Sequence, residues 1–524
     1  MKKLIRKICY LSSLSILLAG CTSDFADTNT NPLDLTQDAL PGNNLLQGQV
    51  FAQAQYVSVN GLHWRFQISQ NLFSDIWCQY FATTASGFDS DRYVQVGRWA
   101  DLAWGSFYGQ AAPQIKLVED LSEADGNDVG NALAKIWRVH AYHRITDYWG
   151  PVPYSAFGNG ELSVPYDSQE SMYNDFFVTL DDAVAKLQAN AGGSSYTSGD
   201  RIYGGSAAQW LKFANSLRLR LAMRIRFADP GRAQAEAEKA INAGVITDNA
   251  DNAFVSVDDT NRNPLETITD WGEFRMSATM ESILKGYDDP RMPEYFAPAV
   301  DGDSDGDGIP YEGLLNGQTR VSLETSKNAG HSDLATKFID VAKGGENPPY
   351  EIMNAAEMFF LRAEGALAGW SMGGTAQSLY EDGIRASMTQ KTGADGAAID
   401  AYITSANVPV LYDAGTTPVT DIPIAFDAGG GAERQLEQII TQKWIAIYPN
   451  GWEAWAELRR TGYPKQYARV ESQNPDVGVD EIMRRMVYVQ SEFDTNGDAV
   501  SAAIALPEMS GGDKNNTKVW WDKK

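Results

Sequence analysis

The opening of the chain limits its fate most. Basic residues (Lys2, Lys3, Arg6, Lys7) precede an apolar run from Ile8 to Leu18 broken only by serines, and the run closes on Leu17-Leu18-Ala19-Gly20-Cys21. This is the layout of an export signal, too short and wrongly flanked for a spanning helix. The small-small-Cys ending reads as a lipobox. Cleavage then falls before Cys21, and palmitate or a similar chain is attached to its thiol and new amine. One acyl chain binds a membrane marginally, at about 0.8 kcal/mol per buried methylene, whereas two or three hold a protein stably. The remainder is thus expected to fold outside the cytoplasm as a tethered body. Cys9 leaves with the signal and Cys21 carries lipid, so only Cys78 remains and no intramolecular disulfide forms. Such a body must be held by its core, and Cys78 reads as one small buried residue of that core.

Removing residues 1–20 removes four positive charges and takes the formal charge from −25 to −29. A body this acidic repels nucleic acid and other polyanions. A neutral or cationic ligand is easier to hold. About 500 residues with 43% hydrophobic content bury a large core. No later stretch approaches the ~20 apolar residues of a membrane helix. Aromatic residues make up 11% of the chain and include 14 Trp, enough for some rings to face a ligand.

Residues 22–42 are polar and turn-rich, a tether. The mature body, 43–524, is then mainly α-helical by apolar period. Helices are predicted over 43–59, 65–82, 131–148, 169–188, 206–227, 230–243, 352–369, 375–390, 433–448 and 451–461. Arg218, Arg220, Arg224 and Arg226 flank the apolar stripe of 206–227 and read as solvated or salt-bridged. The 352–369 and 375–390 helices, joined at Gly373-Gly374, resemble a tetratricopeptide hairpin. Residues 245–350 break the pattern. They are rich in Gly, Pro, Asp and Asn, with one helix expected at 276–286, and a long irregular region of this kind inside a helical protein is usually a binding region or disordered. Trp520-Trp521 is expected to dock the tail on the body.

These blocks together resemble the SusD/RagB family of outer-membrane lipoproteins. The resemblance is carried by DTNTNPL (27–33), TDYWGPVPYS (146–155), PYDSQESMYNDFFVTLDDAVAKL (165–187), WLKFANSLRLRLAMRI (210–225), DDPRMPEYF (288–296) and IITQKWIAIYPNGWEAWAELRRTGYP (439–464), in order behind the lipobox. It implies a right-handed scaffold of tetratricopeptide-like hairpins with a loop-rich ligand-binding part. It further implies a lipoprotein on the outer membrane facing the cell exterior, which captures oligosaccharide, or in some members peptide, for a TonB-dependent channel of the SusC kind. An exported glycoside hydrolase and a protein-only adaptor are the alternatives.

Two constellations carry chemistry. Asp301, Asp303 and Asp305 with Gly306, followed by Asp307 and then Glu312, fit the calcium-loop pattern D-x-[DN]-x-[DN]-G-x5-E. Alternating aspartates aim hard oxygens at one point and a terminal Glu closes the shell. A solvated acidic loop is the other reading, because prolines replace the flanking helices. The second constellation is aromatic. Phe88, Tyr93, Trp271 and Phe274 lie in polar, turn-rich sequence, and Trp77 and Tyr80 end the helix before it. Flat rings there offer stacking area for sugar faces or peptide side chains. His140 and His143, three apart on a helix, have no third ligand in sequence and read as structural. No nucleophile elbow, phosphate loop or dinucleotide fingerprint is present, and no enzyme activity is expected.

Overall fold

The computed structural model describes residues 45–524 except 60, 162, 414 and 415. The signal, the tether and Cys21 lie outside the described residues. The described chain is mostly helical. The long helices are α1 (Leu45–Ser58), α2 (His63–Phe66, continued as a π-wound segment Gln67–Asp75), α3 (Gly97–Ser106), α4 (Ala112–Ala124), α5 (Asp128–Trp149), α6 (Gln169–Ala189), α7 (Ala207–Arg224) and α8 (Pro230–Ala243). Within the irregular region lie α9 (Pro264–Asp270) and α10 (Ala278–Gly286), and after it come α11 (Ala355–Leu367), α12 (Ala376–Thr392), α13 (Gly396–Ile403), α14 (Gly431–Ala446), α15 (Gly451–Thr461) and α16 (Gln490–Ile504). Among the described residues no helix is long and apolar enough to cross a membrane.

Capping explains the boundaries. The side chains of Asn127, Ser168, Ser206 and Asp229 accept from backbone N–H groups in the first turns of α5, α6, α7 and α8, filling donors that a helix start leaves open. α5 stops where Gly150 takes φ +81°, a conformation costly for any residue with a Cβ. Helices adjacent in sequence pack on each other: α4 on α5, α5 on α6, α6 on α7, α7 on α8, and α11 on α12 across the Gly373 turn. α11 also packs on α7 and α14, which joins the two helical stretches through one core.

The segment predicted as helix to residue 82 instead ends near Asp75. Residues Phe81–Thr83 form β1, which pairs antiparallel with β5 (Phe274–Met276) in the register Phe81↔Met276 and Thr83↔Phe274. Two other two-stranded pairs join β2 (Val152–Pro153) to β3 (Tyr166–Asp167) and β4 (Ala253–Val255) to β6 (Tyr350–Met353). The β1–β5 and β4–β6 pairs therefore stitch the irregular region to the body.

Arg218, Arg220 and Arg224 of α7 are buried and ion-paired rather than solvated, and Arg226, just past the helix and partly exposed, bonds Glu364. Cys78 is a buried free thiol. Trp521 is fully buried and its indole N–H donates to Asp147 at 2.7 Å, with Arg224 and Arg459 over its ring. His140 and His143 are both buried, with ring centroids 5.4 Å apart. Burial, and the arginines beside them, push both pKa values well below the usual histidine range.

Candidate functional site

The β1–β5 pairing separates the six aromatic candidates. Phe274 lies within β5, turns inward and meets Phe81 at 4.9 Å. Trp77 packs on Phe73 and Trp455, Tyr80 stacks on Trp444, and the Tyr93 hydroxyl donates to the carbonyl of Glu481 with Arg469 over its ring. Trp77, Tyr80, Tyr93 and Phe274 are each at most 1% exposed. The expectation that they face ligand is corrected: polar flanks describe their neighbours, while the rings themselves are spent on the core. Phe88 is half-buried, edge-on to Trp99 at 5.3 Å.

Trp271 stands apart, 41% exposed. It caps α9, and Gly272 at φ +64° turns the chain from that helix into β5, which leaves the indole at the corner. The corner is fixed by neutral hydrogen bonds. The Gly272 carbonyl accepts from Thr84 Oγ1 at 3.0 Å and Asn328 Nδ2 at 2.8 Å, and the Glu273 carbonyl accepts from Thr84 N at 2.9 Å. A Cβ on residue 272 would come within 2.9 Å of Asn328 Nδ2. The first turn of α2 packs on α9 and brings His63 edge-on to the indole, with centroids 5.4 Å apart at 85°. Trp64 follows, half-buried, under the Arg65 guanidinium at 5.0 Å.

Charge around this platform is only partly matched, since Arg65 and Glu273 each bond a neutral amide. Gln67 Nε2 donates to Glu273 at 2.6 Å, Lys343 pairs with Asp270 at 3.0 Å, and Arg65 bonds Gln110. Burial raises the Glu273 carboxyl and lowers His63, so the imidazole is neutral at pH 7. His63 Nδ1 and Arg65 Nε have no hydrogen-bond partner. An open indole face offers stacking area for a sugar ring or a peptide side chain. Sequence reading found Trp271 but not His63, Trp64 or Asn328, because nothing local marks α2 and residue 328 as neighbours of residue 271.

The acidic loop is organised two residues later than the motif starting at Asp301 suggests. Asp303 accepts from the N–H of Gly306 at 2.7 Å and of Gly308 at 2.8 Å. Asp303, Asp305 and Asp307 bring carboxylate oxygens within 4.8 Å of one another, and Asp301 is in neither of the two acidic groups found among the described residues. Glu312 turns inward and accepts from Ser304 Oγ at 2.8 Å. A cation from the chain itself sits among these groups. Lys285 Nζ, on a side chain 1% exposed, lies 2.9 Å from Glu281, 3.1 Å from Asp307, 3.3 Å from Asp305 and 3.4 Å from Glu312. Burial pushes Glu281 up to about 8 despite that lysine. A cleft of about 290 Å³ opens beside the loop, bounded by Lys327, His331 and Tyr412.

The described residues form a mainly helical scaffold with an exposed tryptophan at the corner between α9 and β5. The comparisons give the family: the SusD-like family model, described as Susd and RagB outer membrane lipoprotein, matches residues 27–522. The chain belongs to the SusD/RagB family, whose members are outer-membrane lipoproteins. It is similar in structure to a chitin-binding SusD homolog from Flavobacterium johnsoniae, at 36% identity and TM-score 0.82, over 91% of this chain and 99% of that one. A SusD homolog from Bacteroides uniformis matches at 33% identity and TM-score 0.82, and one from Bacteroides thetaiotaomicron at 32% and 0.80, each over 91% of this chain and 99% of theirs. Among curated proteins, none matches the chain.

Proposed function

We propose that this protein is a cell-surface lipoprotein, anchored through Cys21, that captures oligosaccharide and passes it to a SusC-like TonB-dependent transporter in the outer membrane. The observation that carries the reading is Trp271, an open indole on a hydrogen-bonded corner, in a chain of the SusD/RagB family. The chitin-binding relative supports a glycan, and N-acetylglucosamine oligomers are the first ligands to try. Peptide in the same role is the second reading, favoured by the acidity of the body. The test is calorimetric titration of residues 22–524 with glycan and peptide panels. Trp271→Ala is expected to weaken glycan binding by roughly thirtyfold, about 2 kcal/mol, with little change in melting. Turnover of the glycan at enzyme-like rates would replace the binding reading by a hydrolase. Tight binding of basic peptides with steep salt dependence would replace glycan by peptide. Cys21→Ser is expected to leave the protein unacylated and move it from the membrane to the soluble fraction.

Calcium at the acidic loop is a separate proposal. It is supported by the convergence of Asp303, Asp305 and Asp307 and competes with Lys285, which already neutralises part of the same cluster.

A further inference from the structure

A second cavity, of about 250 Å³, lies between the β4–β6 pair, the end of α12 and the loop ahead of β6. Its walls are the rings of Phe254, Tyr295, Phe338, Tyr350 and Tyr448, with Gln390 on the polar side. The charges at its rim are matched to each other. Lys391 lies 2.8 Å from Glu351, and Lys337 lies 2.9 Å from Glu294. A charged ligand therefore has no free countercharge to meet there. Most polar groups are also satisfied, since the Tyr350 hydroxyl donates to Gln70 at 2.8 Å and the Tyr295 hydroxyl to the carbonyl of Ile445 at 2.9 Å. Two polar atoms are not. The hydroxyl of Tyr448, a residue 1% exposed, and Oε1 of Gln390 have no hydrogen-bond partner. Buried polar atoms are nearly always paired, and a native exception asks for an explanation.

We infer that this cavity is a binding pocket for a single neutral sugar residue, whose hydroxyl or acetamido groups satisfy Tyr448 and Gln390 while the rings cover its faces. The inference rests on the oligosaccharide reading of Trp271. The volume is just under the ~300–1,000 Å³ of ordinary ligand sites, room for one ring rather than a chain. The placement fits as well. Asn263, on the cavity wall, caps the start of α9, and Trp271 stands at the end of that seven-residue helix. At 1.5 Å per residue Asn263 and Trp271 are about 12 Å apart along the axis, within reach of one short oligosaccharide.

The experiment compares wild type, Tyr448→Phe, Gln390→Leu and Trp271→Ala in acyl-free protein, titrated with the tetramers of N-acetylglucosamine and of glucose. Tyr448→Phe keeps the ring packing on Tyr295, whose centroid is 4.4 Å away, and removes only the orphan hydroxyl. It is expected to raise the melting temperature of the free protein and to weaken the bound tetramer about tenfold. Gln390→Leu is expected to weaken the same tetramer. If Trp271→Ala abolishes binding while Tyr448→Phe and Gln390→Leu both bind like wild type, the cavity holds water only and the inference is overturned, with the oligosaccharide reading intact. If neither tetramer binds wild type, both fall together.

Discussion

Two parts of the molecule put carboxylates and cations together in the interior, and they do it differently. Where α7, α11, α14 and α15 meet, every glutamate faces at least two cations. Glu357 is near Arg220 and Lys443, Glu364 near Arg226 and Arg460, Glu453 near Arg220, Arg224 and Lys443, and Glu457 near Arg224, Lys443 and Arg460. In the irregular region the ratio is reversed, with Lys285 alone serving Glu281, Asp305, Asp307 and Glu312. The carboxyls register the difference. Burial raises both Glu364 and Glu281, but Arg460 and Arg226 more than offset it at Glu364, held at about 2, whereas Glu281 goes up to about 8. A surplus of cations makes a buried carboxylate a fixed structural charge. A deficit leaves one that asks for a proton or another cation.

Removing a charge from the matched network should have the largest effect. Glu453→Gln leaves Arg224, now 2.6 Å from that carboxylate, and Lys443 under-paired in the core, and is expected to cost about 3–5 kcal/mol in denaturant unfolding. A loss under ~1 kcal/mol would show that the network is hydrated. Lys285→Met removes the lysine that pairs with the loop's carboxylates. Because that loop is partly exposed, the expected loss is smaller, about 2 kcal/mol, and added calcium should recover part of it. Failure of calcium to recover any stability would count against the cluster as a cation site.

The third test uses pH. Glu281 binds a proton more tightly folded than unfolded, so its contribution is fully present below about pH 4.5 and is lost as pH rises through about 8. Glu364 behaves oppositely: its contribution is present above about 4.5 and is lost as pH falls toward about 2. Glu281→Gln, which keeps an acceptor for the N–H of Gly313, should flatten a slope of up to ~1.4 kcal/mol per pH unit between pH 5 and 8. An unchanged slope would place the titration elsewhere, with Asp75, raised by burial to about 8, as the next group to test. The smallest effect concerns wild type and chelator. Bound calcium predicts a drop of about 1–2 °C in melting temperature on chelation, removed by Asp303→Ala with Asp305→Ala. Identical curves would leave Lys285 as the loop's working counter-ion.

The same two regions show how far sequence reading reaches. The helices with a clean apolar stripe, such as α5, α7, α11 and α14, were legible to within a few residues because one period sets both local structure and burial. The stretch 97–124, interrupted by Gly97, Gly105, Gly109 and Pro113, shows no such period and is helical nonetheless, through packing on α2 and α5. In the irregular region the decisive contacts are remote. Phe81 and Met276 pair across nearly 200 positions, and that pairing buries Phe274 while leaving Trp271 at the corner. Both rings have similar polar neighbours, so local sequence does not separate them. The acidic motif was legible as a turn, but Lys285, supplied by α10, was not.

The buried Trp521 has a consequence for the order in which the molecule can close. Its partners Asp147, Arg224 and Arg459 come from α5, α7 and α15, made long before it during synthesis. Until residue 521 arrives, that junction lacks the indole that donates to Asp147 and lies under Arg224 and Arg459. A chain delivered N-terminus first therefore cannot seal its interior early. Residue 521 acts as a clasp, and a chain cut ahead of it would leave the junction of α5, α7 and α15 without its indole.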